Sequence, residues 1–251
     1  MLDEIDFSVV TVSYNAENTI RDTINSVLSQ KDVNLEYIVI DGCSIDKTVN
    51  ILNEIKDPRF SFVSEKDKGL YDAMNKGIEK ATGKYVAIIN SDDLYVDEWV
   101  LSRIFSEFEK TKSDIISGNI YYFDDFNVFK KKRLYSAPCF KKKKAWKKGA
   151  QPPHPSTFVR KTVYDEIGLY NIDFKIASDY DFLFRAMYVH DFVYSTVDHE
   201  VVAMRLGGES TSGLKSVYLG NKEVLSSWKL NGKKAPLSLI PKKLFRKYIN
   251  R

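Results

Sequence analysis

Cysteine is scarce. Two residues of 251, Cys43 and Cys139, are too few for a disulfide framework, and neither has a partner at metal-ligand spacing. No apolar run approaches the roughly 18 residues of a transmembrane helix, and the opening stretch MLDEIDFSVVTVSYN carries acids where a secretion signal carries bases. These absences predict a soluble chain of a reducing cytosol. An internal repeat and a Gly/Ser-rich linker are also missing, so the simplest organisation is one domain with an appended C-terminal segment. What remains is a globular composition, 43% hydrophobic and 29% charged, long enough to bury a substantial core; this excludes a disordered or fibrous chain.

Acid is absent where base is dense, and the formal charge of +4 conceals this segregation. Lys130 to Lys148 holds ten basic residues and no acid; Lys222 to Arg251 holds nine basic residues and one acid. The other 202 residues carry 19 basic and 33 acidic side chains, so the body is acidic and two segments are strongly basic. Summed charge of this kind attracts partners of opposite sign. No nucleic-acid partner is expected, because the lysines accompany no recognised module with interleaved aromatics. Phe140 and Trp146 among the lysines, and the tail KKLFRKYINR, fit an anionic membrane surface, and a plain solvated lysine face fits them equally.

The first 120 residues alternate between strand and helix signals. Short β-branched or aromatic runs at Phe7 to Ser13, Leu35 to Ile40, Arg59 to Val63, Tyr85 to Asn90 and Asp114 to Ser117 predict strands. Between them Ile20, Ile24, Val27 and Leu28 share one helical face, as do Leu70, Met74, Gly77, Ile78 and Ala81, and then Val100, Leu101, Ile104 and Phe108. Strands joined by helices of this length predict an α/β fold, a Rossmann-like, mainly parallel sheet with helices on both faces. After residue 120 the pattern loosens. Tyr121 to Tyr135 suits an edge hairpin, the Lys-rich stretch with Pro152, Pro153 and Pro155 reads as loop, Ser178 to Val189 reads as helix, and the last thirty residues read as a basic amphipathic helical segment.

Ligands of open parallel sheets bind beyond the carboxyl ends of the strands. Those ends carry Ser13, Tyr14 and Asn15; Asp41, Gly42, Ser44 and Asp46; Ser64, Glu65, Asp67 and Gly69; and Asn90, Ser91, Asp92 and Asp93. The Gly-rich turn of a dinucleotide site and the P-loop are both absent. A rim of acids repels bare phosphate unless a divalent cation stands between them, and Asp92 with Asp93 suits Mg²⁺ completed by substrate phosphate and water. On spacing alone, the two acids equally suit the start of the helix near Asp97.

Four motifs in order carry a resemblance. VVTVSYNAENTIRDTINSVLSQ, EYIVIDGCSIDKT and SEKDKGLYDAMNKGIEKATGKYVAIINSDD resemble the nucleotide-sugar half of the family-2 glycosyltransferases, and QPPHPSTFVRKTVYDEIGLYNIDFKIASDYDFLFR resembles their acceptor half. The likeness runs from about Ser8 to Gly208. It implies a GT-A fold with residues 1–220 as the catalytic domain, in which 1–120 bind the nucleotide sugar and 121–220 the acceptor, followed by the basic segment 221–251. It implies that Ser13, Tyr14, Asn15 and Asp41 hold the nucleotide, Asp41 accepting from the base, and that Asp67, Gly69, Asp72 and Asn75 close over base and ribose. Asp92 and Asp93 become the motif for Mg²⁺ or Mn²⁺ under the diphosphate, with Asp92 also on the nucleotide side, and Asp179 becomes the general base. Asn90 stands where many members carry Asp, and Met74 where many carry Arg.

The chemistry asks for these residue types. Displacing a nucleoside diphosphate from an anomeric carbon builds negative charge on the leaving oxygen, which a divalent cation stabilises. The acceptor hydroxyl loses its proton to one carboxylate as it attacks from the opposite face, which gives inversion. Asp179 and Asp181 point to different sides of a helix, so one of them serves; Asp181 is expected to pair with Arg185 at i+4. His154, in the Pro-rich loop, and Arg205, in MRLGGES, are candidates for the acceptor or diphosphate side; an exposed loop histidine and a surface ion pair are their alternatives. Trp146 and Trp228 are expected in the core by default, and Cys43 beside the nucleotide turn. The expected reaction is metal-dependent transfer of a sugar, UDP-linked, to a hydroxyl of a glycan or lipid-linked saccharide in cell-surface polysaccharide synthesis, in the cytoplasm or on the inner face of the cell membrane. A sugar nucleotidyltransferase would need a Gly- and Arg-rich triphosphate loop that SYNAEN does not supply. A silent nucleotide-sugar or membrane binding module would have no use for a base.

Overall fold

The computed structural model describes residues 4–124, 131–138, 143–206 and 214–249. β1 (Phe7–Ser13), β2 (Leu35–Asp41), β3 (Phe60–Ser64) and β4 (Tyr85–Ile88) lie parallel in the order β3-β2-β1-β4. α1 (Ile20–Leu28), α2 (Thr48–Glu54) and α3 (Leu70–Lys80) make the crossovers. Every residue of β1 is buried, as expected of a parallel strand with helices on both faces. Its side chains alternate between two cores: Val10 and Val12 join α3, while Phe7 and Val9 join α1 and α4 (Val100–Thr111). The register sets Ser13 opposite Asp41 and Asp41 opposite Ser64, so three strand ends deliver polar side chains to one rim.

Beyond β4 the sheet is mixed, where the sequence suggests a mainly parallel one. It continues β4-β8-β6-β9-β5, with β5 (Leu94–Tyr95), β6 (Ile115–Phe123), β8 (Thr157–Arg160) and β9 (Tyr194–Arg205). β4–β8, β8–β6 and β9–β5 pair antiparallel, whereas β6–β9 is parallel. Among the described residues only two short 3₁₀ turns precede β8 after the hairpin, so no helical crossover brings it back parallel. β7 (Arg133–Tyr135) completes the expected edge hairpin on β6.

α5 (Lys161–Ile167), α6 (Ser178–Phe184), α7 (Leu214–Leu230) and α8 (Leu239–Ile249) complete the chain. The helix expected from Ser178 to Val189 is α-helical only to Phe184, and Arg185–Val189 form a π turn. The boundary expected at 220/221 falls inside α7, which packs into the core rather than trailing from it. Val224 and Trp228 are buried, the Trp228 ring lies 4.6 Å from Phe184, and its Nε1 donates to Tyr180 Oη at 2.8 Å. Burying a large apolar side chain contributes about 1.5–3 kcal/mol. Trp146 is likewise core, edge-on to Tyr180 and Phe184 at 5.2 and 5.6 Å, and therefore not at a headgroup interface. Phe140, Cys139 and the basic residues Lys130, Lys141, Lys142 and Arg251 lie outside the described residues.

Candidate active site

The rim begins with two turns locked together. Asn15 (φ +50°) and Cys43 (φ +61°) take left-handed backbone. Asn15 Oδ1 accepts from Ile45 N at 2.9 Å, and Asn15 N donates to Ser44 Oγ at 2.8 Å. Asp41 is fully buried and accepts from Ser13 Oγ at 3.2 Å, Ser64 Oγ at 2.7 Å, Ser44 N at 3.0 Å and Ser44 Oγ. Four donors occupy the lone pairs of a carboxylate. Asp41 ties three strand ends together and shapes the turn.

Tyr14 and Asn15 are exposed in the first turn, while Ser13 is buried. A methyl at Gly42 would stand 2.5 Å from Asp67 Oδ2 and 3.5 Å from Tyr14 Cδ2, so glycine there allows the ring and the carboxylate to converge. Asp67 Oδ1 accepts from Gly69 N at 2.8 Å. Gly69, at φ +118°, turns the chain into α3 with a backbone that side chains resist. Asp72 Oδ2 accepts from Lys68 N at 3.0 Å and lies 3.7 Å from Lys76 Nζ, holding the same loop. Asn75 is elsewhere engaged. Its Nδ2 donates to Tyr170 O at 2.9 Å and its Oδ1 accepts from Tyr170 N at 3.0 Å, so it joins the two halves of the domain.

Past β4 the two adjacent acids take different environments. They do not begin a helix, because β5 intervenes and α4 starts at Val100. Asp93 is 1% exposed and accepts from Asn90 Nδ2 at 2.9 Å and from the backbone N of Arg205 at 3.3 Å. Asp92 is half-buried, and no donor of another described residue reaches its carboxylate. Burial raises the proton affinity of both, reinforced at Asp93 by the Asp92 charge and opposed at both by Arg205. One engaged and one open carboxylate, both partly desolvated, form a place short of positive charge, and the oxygen donors match a hard divalent cation. Among the described residues no group of three His, Cys, Asp or Glu forms a metal cluster. The guanidinium of Arg205 lies 4.9 Å over the Phe123 ring and 3.6 Å from Asp22 Oδ2.

A cavity of about 300 Å³ opens between this rim and α6. Asn90, Met74, Tyr71, Gln151, His154 and Asp179 are among the residues lining it. Asp179 Oδ2 accepts from Gln151 Nε2 at 2.7 Å, and its Oδ1 lies 3.3 Å from Tyr71 Oη, which also donates to Ile176 O at 2.9 Å. Asp181 faces away. It accepts from Arg185 Nε at 2.9 Å, the pair expected at i+4, and from Ser227 Oγ at 2.7 Å. His154 lies within hydrogen-bond distance of Tyr170 Oη at 2.9 Å, and burial lowers its pKa against the opposing charge of Asp179. Gln151 and Tyr71 are the partners that sequence reading missed, although both fall inside the motif stretches. Glu223 was also missed. On α7 it accepts from the backbone N–H groups of Lys175, Ile176 and Ala177 at 2.8–2.9 Å, fixing the approach to α6.

Comparison with known proteins places this geometry. Residues 8–168 match the family model described as Glycosyl transferase family 2. The putative teichuronic acid biosynthesis glycosyltransferase TuaG of Bacillus subtilis is 40% identical over 105 residues, 41% of this chain and 40% of its own length. WfaP of Escherichia coli, named as a UDP-Glc:alpha-D-GlcNAc-diphosphoundecaprenol beta-1,3-glucosyltransferase, is 35% identical over 123 residues, 48% of each chain. The matched part thus spans less than half of either relative. Among solved structures, Staphylococcus aureus TarS 1–349 in complex with UDP-GlcNAc superposes with a TM-score of 0.70 at 18% identity, covering 98% of this chain and 72% of that one. A Pyrobaculum calidifontis mannosyltransferase in complex with GDP-Man and Mn²⁺ does so at 0.67 and 16%, covering 98% and 70%. The fold is of the GT-A type, and the chain belongs to glycosyl transferase family 2.

Proposed function

We propose that this protein transfers a sugar from a nucleoside diphosphate donor, UDP-linked, to a hydroxyl of a lipid-linked saccharide, with inversion at the anomeric carbon, in cell-surface polysaccharide assembly. The observation that carries the reading is that Asp179 and Asn90 line one cavity, while Asp181 is withdrawn between α6 and α7. Among the described residues lining the cavity, Asp179 is the one carboxylate, which suits single displacement. The acceptor oxygen bonds to the anomeric carbon, the bond from that carbon to the phosphate oxygen breaks, and the hydroxyl proton passes to Asp179. Gln151 and Tyr71 orient the carboxylate. Tyr14 and Asp67 flank the donor's base, and Asp41 keeps their turns in place. Arg205 faces the diphosphate.

Asp92 would hold Mg²⁺ or Mn²⁺, with Asp93 as its buried support. When bound, the cation supplies positive charge to the leaving diphosphate. UDP is favoured because WfaP is named for UDP-Glc and TarS is solved with UDP-GlcNAc. An acceptor like that in the name of WfaP, carried on a lipid diphosphate, brings the reaction to the cytoplasmic face of the membrane. A thermal-shift panel of nucleoside diphosphates and their sugars tests the donor side. UDP and UDP-sugars should raise the Tm with Mn²⁺ or Mg²⁺ and much less with chelator, and Asp92→Asn should remove the metal-dependent part. Equal stabilisation with and without metal would contradict the cation's role.

A further inference from the structure

Two lysine-rich stretches that are far apart in sequence meet in the fold. The 3₁₀ turn Trp146–Lys148 packs on α8, where a methyl at Gly149 would stand 2.7 Å from Lys243 Cα and Cβ. Gly149, at φ +70°, is what permits this approach. The joint surface exposes Lys144, Lys147, Lys148, Lys233, Lys234 and Lys242. No acid occurs in the segments 143–148 and 224–246, and nearby Glu223 is buried on backbone N–H groups; the acid that reaches this surface from another element is Asp191, 2.7 Å from Lys143 Nζ.

The same surface carries an apolar stripe. Leu237 is fully exposed, Phe245 is 65% exposed and Leu244 is 42% exposed. With Pro241 they follow the spacing i, i+4, i+7, i+8: Pro241, Leu244 and Phe245 share one face of α8, and Leu237 lies in the turn two residues before its start. On the other side Leu239 is buried and anchors the helix in the core. Single exposed leucines are ordinary. A stripe of three large apolar side chains, on α8 and just before it, collared by lysines that outnumber the acids is the pattern of a helix lying in a lipid headgroup region. Arg246 on α8 also acts electrostatically on Tyr135, which lines the cavity, so the surface adjoins the acceptor side.

We infer that α8, with the turn at Trp146–Lys148, docks the protein on an anionic phospholipid bilayer, Leu237, Leu244 and Phe245 entering the headgroup region and the lysines meeting lipid phosphates. The surface is separate from the transfer chemistry, so its failure would leave that reading intact. Flotation of the full chain with phosphatidylcholine vesicles, with and without phosphatidylglycerol, tests it. Binding should require the anionic lipid and weaken at high salt. Leu237→Ser with Phe245→Ser should lower partition about a hundredfold, on the order of tenfold per buried side chain, and Lys233→Glu with Lys234→Glu should abolish it. These side chains are exposed, so the variants should keep the native circular dichroism and the UDP-induced Tm shift. Equal flotation on neutral vesicles, none on either kind, or no loss in the serine pair would overturn the inference. So would light scattering that found a dimer lost in the serine pair, because the stripe would then be covered by a second copy.

Discussion

Asp179 and Asp181 are two residues apart on α6, and their surroundings separate them. Asp181 meets Arg185, Ser227 and Asn231 and is buried; Asp179 meets Gln151 and Tyr71 at the cavity wall. The helical angle between them was legible in the sequence, but the donors on α7 and on the Pro-rich loop were not. Asp41 and Asn75 have structural partners that the sequence did not show. Both occupy motif positions, yet their polar atoms are engaged by the chain itself, which only tertiary register reveals. His154 carries a prediction at this scale. Burial holds its pKa below the ordinary value, so in acid the unfolded chain takes up a proton that the fold resists. The contribution of His154 to stability should be constant above about pH 6.5 and should fall as pH drops through that value toward the lower folded pKa. The Tm measured across this window should fall less steeply in His154→Gln than in the native protein.

At the scale of elements, the strands and helices up to β6 follow from period and composition, apart from α2 and the two-residue β5, because each of the longer ones buries a regular apolar face. β8 and β9 escaped that logic. β8 is four residues long and follows a proline run, and β9 has an irregular burial pattern with two register shifts against β6. The second part of α7 falls in the segment 221–251 that reads as appended because that segment carries nine basic residues and one acid from Lys222 on, whereas the place of α7 in the fold depends on four inward positions. Glu223, Val224, Ser227 and Trp228 hold the helix that carries Asp179. Glu223→Gln replaces one acceptor with a donor facing backbone N–H groups. It should cost about 1.5–3 kcal/mol in urea unfolding, the range for a hydrogen bond to a charged group, and should lower transfer more than donor binding.

Across the whole molecule, the charge of +4 resolves into two arrangements. Carboxylates gather at the strand ends, and two basic stretches converge at α8 on the acceptor side, a convergence that no linear reading contains. The cavity lies where the halves meet: β4 brings Asn90, α3 brings Tyr71, the Pro-rich loop brings Gln151 and His154, and α6 brings Asp179. Catalysis requires all of them together, while donor binding requires the first half and Arg205. Asp179→Asn separates the two. Calorimetry of UDP with Mn²⁺, run beside sugar transfer to a lipid-diphosphate-linked saccharide, should show native UDP affinity and transfer lowered by about 10²–10⁴, the usual contribution of a general base. Transfer within a few-fold of native at unchanged UDP affinity would contradict the assignment of Asp179 as the base.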